Sequence, residues 1–572
     1  MSSDTHAAPA DGASAAPGDA PEPFRWRWCA FAVILVATMM DILDSLVTTV
    51  AGPSIRADLG GSTTVIQWLT AGYTLAMASG LIIGGRLGDL FGRKRMFLVG
   101  VAGFVVCSAL CGAAQDPAML VGFRVVQGLF GAVMIPQGLG LIKELFPPAE
   151  LPLAFGSIGP VVGLANISGP LVGGWLVDAD FFGTGWRMIF LINVPLGLLC
   201  LVAGARLLPT SARTVSRLDL VGAATVALAA LLMVFPLVQG RELGWPAWTF
   251  ASIAASVALF VVFGWYEARR QRSGGDPLVL PSLFGKRAFS GALVSGALMF
   301  CALIGFSLVF TLYVQLGLGY SPLQAALATL PQVIGSAVTA LVAGRTGLAV
   351  RYGRRLIHLG VAAMAAGVGL LYLAVRLQGD HVHALWFAPA LLLIGVGMGL
   401  AMSSLYFTVN TTAQPHESGS ASGTFTAVQQ LSGALGVAVI GTVFFGVLGG
   451  QVAARAADQA PQLRTQLAAA GISPAGQEKI TASLRDCERD RAVAEDAVDV
   501  PPSCGRLRTA LERTPAAAAA VDRAGAQAAE RGFADSFERV LAVLAGLLAL
   551  AFAVAFALPR ARPSGTFAGS PE

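Results

Sequence analysis

The chain has 572 residues, of which 55% are hydrophobic and only 12% are charged, and its formal net charge is +5. Soluble globular domains carry about 25% charged residues, so this composition excludes an ordinary soluble protein and predicts a helical membrane protein. The positive charges are spread over many short loops instead of one basic surface, so no nucleic-acid partner is expected.

Residues 1–25 precede the first apolar run and are small, Pro-rich and mildly acidic. They lack the basic start and the apolar centre of a cleaved signal peptide. We therefore expect a disordered cytoplasmic tail over residues 1–25 and a second, shorter cytoplasmic tail over residues 559–572.

Apolar runs recur along the rest of the chain, and about 20 such residues suffice for one helical span of a bilayer. Short loops rich in Lys and Arg stay in the cytoplasm. With the N-terminus inside, the short outer loops hold only Arg56, Arg187, Arg241 and Arg376, so both termini are predicted to be cytoplasmic. The protein is expected in a bacterial cell membrane, and its fourteen predicted spans are residues 28–50, 64–86, 95–114, 117–142, 152–177, 187–208, 218–238, 247–267, 289–315, 321–344, 355–375, 384–408, 422–448 and 537–558.

Two carboxylates lie inside the first span, in the stretch "ATMMDILDSLVTTV". Each charge in a span costs roughly 2.5 to 3.5 kcal/mol, so Asp41 and Asp44 predict a functional site. They are three residues apart and share one helix face, and Arg124 in the fourth span is a candidate partner. A buried carboxylate with a movable arginine neighbour can bind and release a proton. The alternative is a fixed structural ion pair between Asp44 and Arg124.

Residues 449–535 form the one long segment between spans that is not apolar, and it falls on the outer side. Its alternating charges and alanines predict helices, interrupted at Pro501 and Pro502. Cys487 and Cys504 flank this turn in an oxidising environment, which favours a disulfide. A structural zinc site is the weaker alternative, because no further cysteine pair or nearby histidine completes a ligand set.

Several motifs resemble those of the major facilitator superfamily. The loop "GRLGDLFGRKR" resembles its cytoplasmic loop motif, and "YGRR" at 352–355 marks the equivalent loop of a second half. "LVGFRVVQGLFGA" and "SGPLVGG" resemble motifs of its fourth and fifth spans, and "IQWLTAGYTLAMA" and "GWRMIFLINVPLG" resemble signatures of its fourteen-span drug:proton antiporters.

This resemblance implies an all-α membrane protein with the major facilitator fold. We expect a six-helix bundle at 26–208, two additional transmembrane helices at 217–268 and a second six-helix bundle at 286–558, into which the outer segment 449–535 is inserted. The resemblance also implies a conformational latch and an antiporter motif. The latch comprises Gly85, Asp89, Gly92, Arg93 and Lys94, and the antiporter motif comprises Gly169, Pro170, Gly173 and Gly174.

Aromatic and amide side chains in the spans are candidates for the lining of a substrate cavity. Such a lining suits bulky apolar or weakly polar molecules. The alternative for each glutamine is a hydrogen bond between helices. The candidates are Trp68, Tyr73, Gln127, Gln137, Tyr313, Gln315, Gln429 and Gln430.

The resemblance implies a proton-coupled exporter of drugs, antibiotics or related secondary metabolites. The stretch "LDSLVTTVAGP" resembles the first-span pattern of the family with Asp44 at its aspartate, so Asp44 is the expected proton carrier, and Asp41 is expected to tune it or to meet a cationic substrate. No G-x-x-x-x-G-K-[ST] sequence is present, so ATP is not the expected energy source. We expect a monomer that is not an enzyme and needs no metal or cofactor, with protons, a small molecule and the lipid bilayer as its partners. The alternatives are an importer with the same fold and a lipid-handling membrane protein.

Overall fold

The computed structural model describes residues 25–147, 150–210, 219–275, 277–378, 384–414, 417–492, 500–511 and 514–558. The predicted tails at 1–24 and 559–572 lie outside these ranges. Long helices make up most of the described chain. In chain order they are α1 Arg27–Leu59, α2 Thr63–Phe91, α3 Arg93–Gly112, α4 Pro117–Leu145, α5 Leu151–Ala179, α6 Gly185–Leu207, α7 Leu220–Gln239, α8 Ala247–Arg272, α9 Arg287–Gly317, α10 Pro322–Thr346, α11 Arg354–Leu377, α12 Leu385–Thr412, α13 Ser418–Asp458, α14 Ala460–Ala469, α15 Pro474–Ala492, α16 Pro502–Leu511 and α17 Pro515–Val554.

Local sequence signals fix several helix starts. The Asp116 side chain accepts a hydrogen bond from the Met119 N–H at 2.8 Å, and Pro117 occupies the first turn of α4. Ser321 and Gln324 form a reciprocal capping box at the start of α10. Such caps satisfy backbone N–H groups that have no partner within the helix. The ends of the predicted spans are therefore set by ordinary helix chemistry as well as by the bilayer.

The described part of the chain has twelve helices long and apolar enough to cross a membrane, or thirteen if α2 counts as one span bent by 48°. Helix α5, with 29 residues, lies where the remaining predicted span was expected. The helical membrane architecture is thus as predicted, whereas the total of fourteen spans and the cytoplasmic termini stay predictions.

The helices before and after the added pair meet mainly along two contacts. Helix α2 packs against α13, and α5 packs against α10. We call these two contacts together the seam. Helix α7 lies beside the seam, in contact with both α2 and α13, and α8 packs against α7. The added helices therefore border the surface along which the two halves meet.

The outer segment is a helical domain continuous with two of the spans. Helix α13 runs on to Asp458 and α17 begins at Pro515, so both extend well beyond the predicted spans 422–448 and 537–558. Their extensions are joined by Arg455, whose Nε and Nη2 donate to the Asp535 carboxylate at 2.6 and 2.8 Å. Alanine-rich sequence favours helix beyond the bilayer, which explains the difference in length.

A small apolar core holds the outer domain together. Leu467 of α14, Leu484 of α15 and Val521 of α17 belong to one buried cluster. A disulfide joins Cys487 to Cys504, the two cysteines for which the sequence favoured that bond. The domain thus combines a small apolar core with a covalent link, and its position on the outer side of the membrane stays a prediction.

A buried carboxyl group makes the stability of the outer domain depend on pH. Burial raises the pKa of Glu488, which is 8% exposed, and Asp522 raises that pKa further while Arg491 lowers it. Because the folded-state pKa of Glu488 lies above its unfolded value, the contribution of Glu488 to the stability of the domain is fully present below the unfolded pKa. It is lost as the pH rises through the folded pKa.

We therefore expect Glu488→Gln to increase the resistance of the outer domain to proteolysis at neutral pH. The advantage should disappear towards about pH 4, where the wild-type carboxyl is protonated in both states. Limited proteolysis across this range measures the effect, with Glu478→Gln, an exposed carboxyl on the same helix, as the control. An equal gain at every pH would contradict the role of titration.

Candidate functional site

Asp44 and Arg124 form a buried ion pair inside the first bundle. Both side chains are almost fully buried, and Arg124 Nη1 contacts Asp44 Oδ2. Asp44 Oδ1 accepts hydrogen bonds from Gln127 Nε2 at 3.1 Å and from Asn193 Nδ2 at 2.8 Å. Both carboxylate oxygens therefore have donors, and the negative charge of Asp44 is compensated in place.

Further polar groups hold this pair in a fixed geometry. The Ser108 hydroxyl accepts from Gln127 Nε2 at 3.1 Å and from Asn193 Nδ2 at 2.9 Å, and donates to the Phe190 carbonyl at 3.1 Å. The Arg124 guanidinium lies 4.2 Å from the ring centre of Tyr73. Ser108 and Asn193 were not predicted as site residues, although Asn193 lies in the motif "GWRMIFLINVPLG". The sequence feature that could have identified these two residues is a polar side chain within an apolar span.

Asp41 has a weaker set of partners than Asp44. The Tyr73 hydroxyl donates to Asp41 Oδ1. A Cβ on Gly131 would lie 3.0 Å from Asp41 Oδ1, so α4 approaches this carboxyl closely. The structure records no ion pair to Asp41 among the residues it describes. Of the two carboxylates, Asp41 is the one without a directly bonded cation.

The contacts of the two aspartates differ from what the sequence predicted. The sequence favoured Asp44 as the proton carrier and Asp41 as its neighbour. The contacts instead match the alternative of a fixed pair between Asp44 and Arg124. Asp44 has a bonded cation and two amide donors, whereas Asp41 accepts the Tyr73 hydroxyl bond, and the role of each carboxyl in proton exchange stays a prediction.

Four of the eight cavity candidates lie in the polar cluster or contact the opposite half. Tyr73 and Gln127 belong to the cluster around Arg124. Gln315 and Gln430 cross between the halves: Gln315 Nε2 donates to the Val50 carbonyl at 2.9 Å, and Gln430 Nε2 contacts Met77 Sδ at 2.9 Å. These two glutamines are therefore placed to respond when the halves separate.

Two further candidates make contacts away from the seam. Trp68 Nε1 donates to Gln239 Oε1 of the added helix α7 at 3.4 Å. Gln137 Nε2 donates to the Gly84 carbonyl at 2.6 Å, which joins α4 to α2. The contact of Gln137 matches the alternative of a hydrogen bond between helices.

The last two candidates pack within the second half. Gln429 Oε1 accepts from the Tyr406 hydroxyl at 2.8 Å. Tyr313 is stacked on Phe537 with ring centres 4.7 Å apart. The structure does not bring the eight residues together, so a shared substrate lining stays a prediction.

The loop between α2 and α3 ties these helices to their neighbours. Gly92 has a φ of 92°, a conformation that favours glycine. Arg93 Nη2 donates to Asp89 Oδ1 at 3.2 Å, and Arg93 Nε lies 3.6 Å from Glu144 Oε1 of α4. Lys94 Nζ donates to the Leu208 carbonyl at 2.7 Å.

The remaining latch glycine lies one turn earlier, where a Cβ on Gly85 would be 3.7 Å from Pro136 Cβ. The five residues thus form one connected region within the first bundle. Their action as a latch stays a prediction.

The glycines of the α5 motif bring three helices close together. A Cβ on Gly169 would lie 3.1 Å from Leu46, and one on Gly173 would lie 2.7 Å from Val47, both on α1. Gly174 faces α10, where its Cβ would lie 2.6 Å from the Leu323 Cα. Pro170 lies in the same stretch of α5. The motif therefore supports close packing of α5 against both halves.

Gln67 is a seam residue that the sequence analysis missed. It is fully buried, and neither amide atom has a hydrogen-bond partner among the described residues. A Cβ on Gly441 of α13 would lie 2.1 Å from Gln67 Nε2, so the amide is enclosed where α2 meets α13. An unsatisfied buried polar group costs about 1–3 kcal/mol, and Gln67 therefore disfavours this closed contact.

Gln67→Leu is expected to shift the protein towards the conformation in which this contact is closed, and to slow export. The shift follows because the penalty exists only in that conformation. Spin labels are attached at Ala57 of α1 and Leu327 of α10 in a protein in which Cys29 is replaced by Ser. The distances between the labels report the populations of the closed and open conformations. Gln414→Leu, at an exposed glutamine, is the control, and unchanged distances in Gln67→Leu would contradict the penalty.

Comparison with known proteins agrees with this architecture. The model of the family described as "Major Facilitator Superfamily" matches residues 33–437. The chain is 45% identical over 540 residues to the "Probable actinorhodin transporter" of Streptomyces coelicolor, covering 94% of this chain and 93% of that protein. It is 35% identical over 451 residues to the "Tetracenomycin C resistance and export protein" of Streptomyces glaucescens, covering 77% and 80%.

A solved structure supports the fold. The bacterial homologue of the human lysosomal transporter Spinster, in an inward-facing and occupied conformation, matches with a TM-score of 0.56 and 15% sequence identity, over 94% of this chain and 97% of that one. The fold, the matched family and the apolar spans together lead to one assignment. This chain is a multi-pass protein of a bacterial cell membrane and belongs to the major facilitator superfamily.

Proposed function

We propose that this protein is a proton-coupled exporter of an antibiotic or a related secondary metabolite. The observation that carries the proposal is a pair of buried aspartates in one turn of α1, of which Asp44 alone is bonded to a cation among the residues that the structure describes. The names of the two relatives support export of such compounds.

In this proposal Asp41 carries the proton, and the ion pair of Asp44 and Arg124, whose opposite charges compensate each other, stays fixed beside it. Tyr73 connects the two, because its hydroxyl donates to Asp41 while its ring lies below the Arg124 guanidinium. Protonation of Asp41 removes the charge that this hydroxyl bond stabilises. The packing of α1 against α2 and α4 then depends on the protonation state.

The energy available from one proton is sufficient for accumulation against a gradient. Entry down 100 mV releases about 2.3 kcal/mol, and each pH unit adds about 1.4 kcal/mol. Together these support a gradient of roughly several hundredfold for an uncharged compound, since each 1.4 kcal/mol is tenfold. One proton carrier is therefore enough for effective export.

Transport into everted membrane vesicles tests the proposal. Actinorhodin and tetracenomycin C are the first compounds to measure, because relatives are named for them. We expect uptake that follows an imposed pH gradient, collapses with a protonophore and does not require ATP. Uptake only into right-side-out vesicles would support an importer, and movement unaffected by the pH gradient would contradict proton coupling.

A further inference from the structure

A cavity of about 400 Å³ lies beside the seam, between α2, the added helices α7 and α8, α13 and residues 279–284. We call it the lateral cavity. Its size is within the range that holds drug-sized ligands. Most of its wall is apolar and includes Ala78, Ala230, Phe260, Phe263, Ala427 and Leu431.

One carboxyl group forms part of this apolar wall. Glu267 of α8 is 1% exposed. Its Oε2 accepts from the backbone N–H of Leu278 at 2.6 Å and of Val279 at 3.3 Å, whereas no donor to Oε1 is found among the residues that the structure describes. The group therefore anchors the chain that follows α8 and retains one unused acceptor.

The structure records no ion pair to Glu267 within the part of the chain that it describes. Arg270 Nε lies 3.3 Å from Asp219 Oδ2, and the Tyr266 hydroxyl donates to Asp219 Oδ1 at 3.0 Å. A Cβ on Gly222 would lie 2.5 Å from Glu267 Oε1 and 3.0 Å from Asp219 Oδ2, so the two carboxyl groups face the same small space. The described residues provide one cation for these two acids.

A buried carboxylate without a cation is costly, so this site favours binding of a positive group. The positive group must be attached to an apolar body if it is to occupy the rest of the cavity. Such molecules partition into the bilayer, which surrounds the added helices. The cavity wall includes α2 and α13, so an occupant would contact both sides of the seam.

We propose that the lateral cavity binds an apolar molecule carrying one amine, with Glu267 as its acceptor. This site is separate from the polar cluster around Asp41 and Arg124. An amine-bearing membrane lipid and a dissolved amphiphilic amine share this chemistry.

A cysteine at Ala427 provides a reporter inside the lateral cavity. The full-length Ala427→Cys protein is placed in phosphatidylcholine nanodiscs, and its reaction with N-ethylmaleimide at that position is followed by mass spectrometry. Dodecylamine and dodecanol, which differ in the amine, are the competing probes. We expect dodecylamine to protect at a concentration about tenfold lower, because a charge-assisted hydrogen bond is stronger than a neutral one.

Two further substitutions test the charge of Glu267 and the volume of the lateral cavity separately. Glu267→Gln should reduce the preference for the amine to about onefold, whereas Glu478→Gln in the outer domain should leave it unchanged. Ala230→Phe, which fills the cavity and retains Glu267, should remove protection by both probes. Equal potency of the two probes in the parent protein would overturn the proposal, as would unchanged protection by dodecylamine in Ala230→Phe.

A change of lipid distinguishes the two sources of the amine. In nanodiscs containing phosphatidylethanolamine, protection without added probe would identify the lipid headgroup as the natural occupant. An unprotected cysteine that still responds to dodecylamine would identify a free amphiphile.

Discussion

Asp41→Asn is expected to leave the protein folded but to abolish proton-driven export, whereas Asp44→Asn is expected to destabilise the fold. The amide introduced by Asp41→Asn would still accept the Tyr73 hydroxyl bond but could not carry a proton. Loss of the Asp44 charge leaves Arg124 buried without its partner, and breaking a buried pair in this way costs about 3–5 kcal/mol. The expected result for Asp44→Asn differs from the sequence-based prediction that Asp44 carries the proton.

Two measurements separate these effects. Thermal unfolding of the purified variants reports the stability, and drug transport in proteoliposomes with an imposed pH gradient reports the coupling. The double variant Asp44→Asn/Arg124→Gln should regain much of the stability, because no unpaired charge remains, and the double-mutant cycle gives the coupling energy. If Asp44→Asn is stable but has lost coupling and Asp41→Asn remains active, the proton carrier is Asp44 and not Asp41.

Gly174→Ala is expected to reduce export by roughly tenfold or more, because overpacking costs about 1–3 kcal/mol and 1.4 kcal/mol corresponds to tenfold. The new Cβ would lie 2.6 Å from the Leu323 Cα and 2.8 Å from the Pro322 carbonyl oxygen. These are backbone atoms, so the start of α10 must move. That start is also held by Asp178, which accepts from the Ser321 hydroxyl at 2.7 Å.

The same helix offers a matched control. Gly163 also faces α10, but its Cβ would lie 3.7 Å from the Ala337 Cβ, an ordinary contact. Gly163→Ala should therefore transport normally. Spin-label distances between α5 and α10 should lengthen only in Gly174→Ala. Equal transport by both variants would show that close approach at Gly174 is not required for the closed seam.

The sequence determined the class of this protein and much of its helical order. Apolar runs predicted membrane helices because a bilayer requires about 20 such residues for each span. Because a charge in the membrane is costly, Asp41, Asp44 and Arg124 were predicted to be functional residues. The position of Cys487 and Cys504 on either side of a Pro-Pro turn favoured the bond that the structure contains.

The tertiary structure alone decided which neighbour each polar side chain meets. Membrane helices are apolar on most faces, so their sequence does not specify how each helix is rotated about its axis or which helix lies beside it. The amide donors to Asp44 come from α4 and α6, and Trp68 is turned towards an added helix. The lateral cavity, likewise, exists because α2, α7, α8 and α13 meet there. Close packing of small residues sets these neighbours, and that packing is a property of the assembled helices.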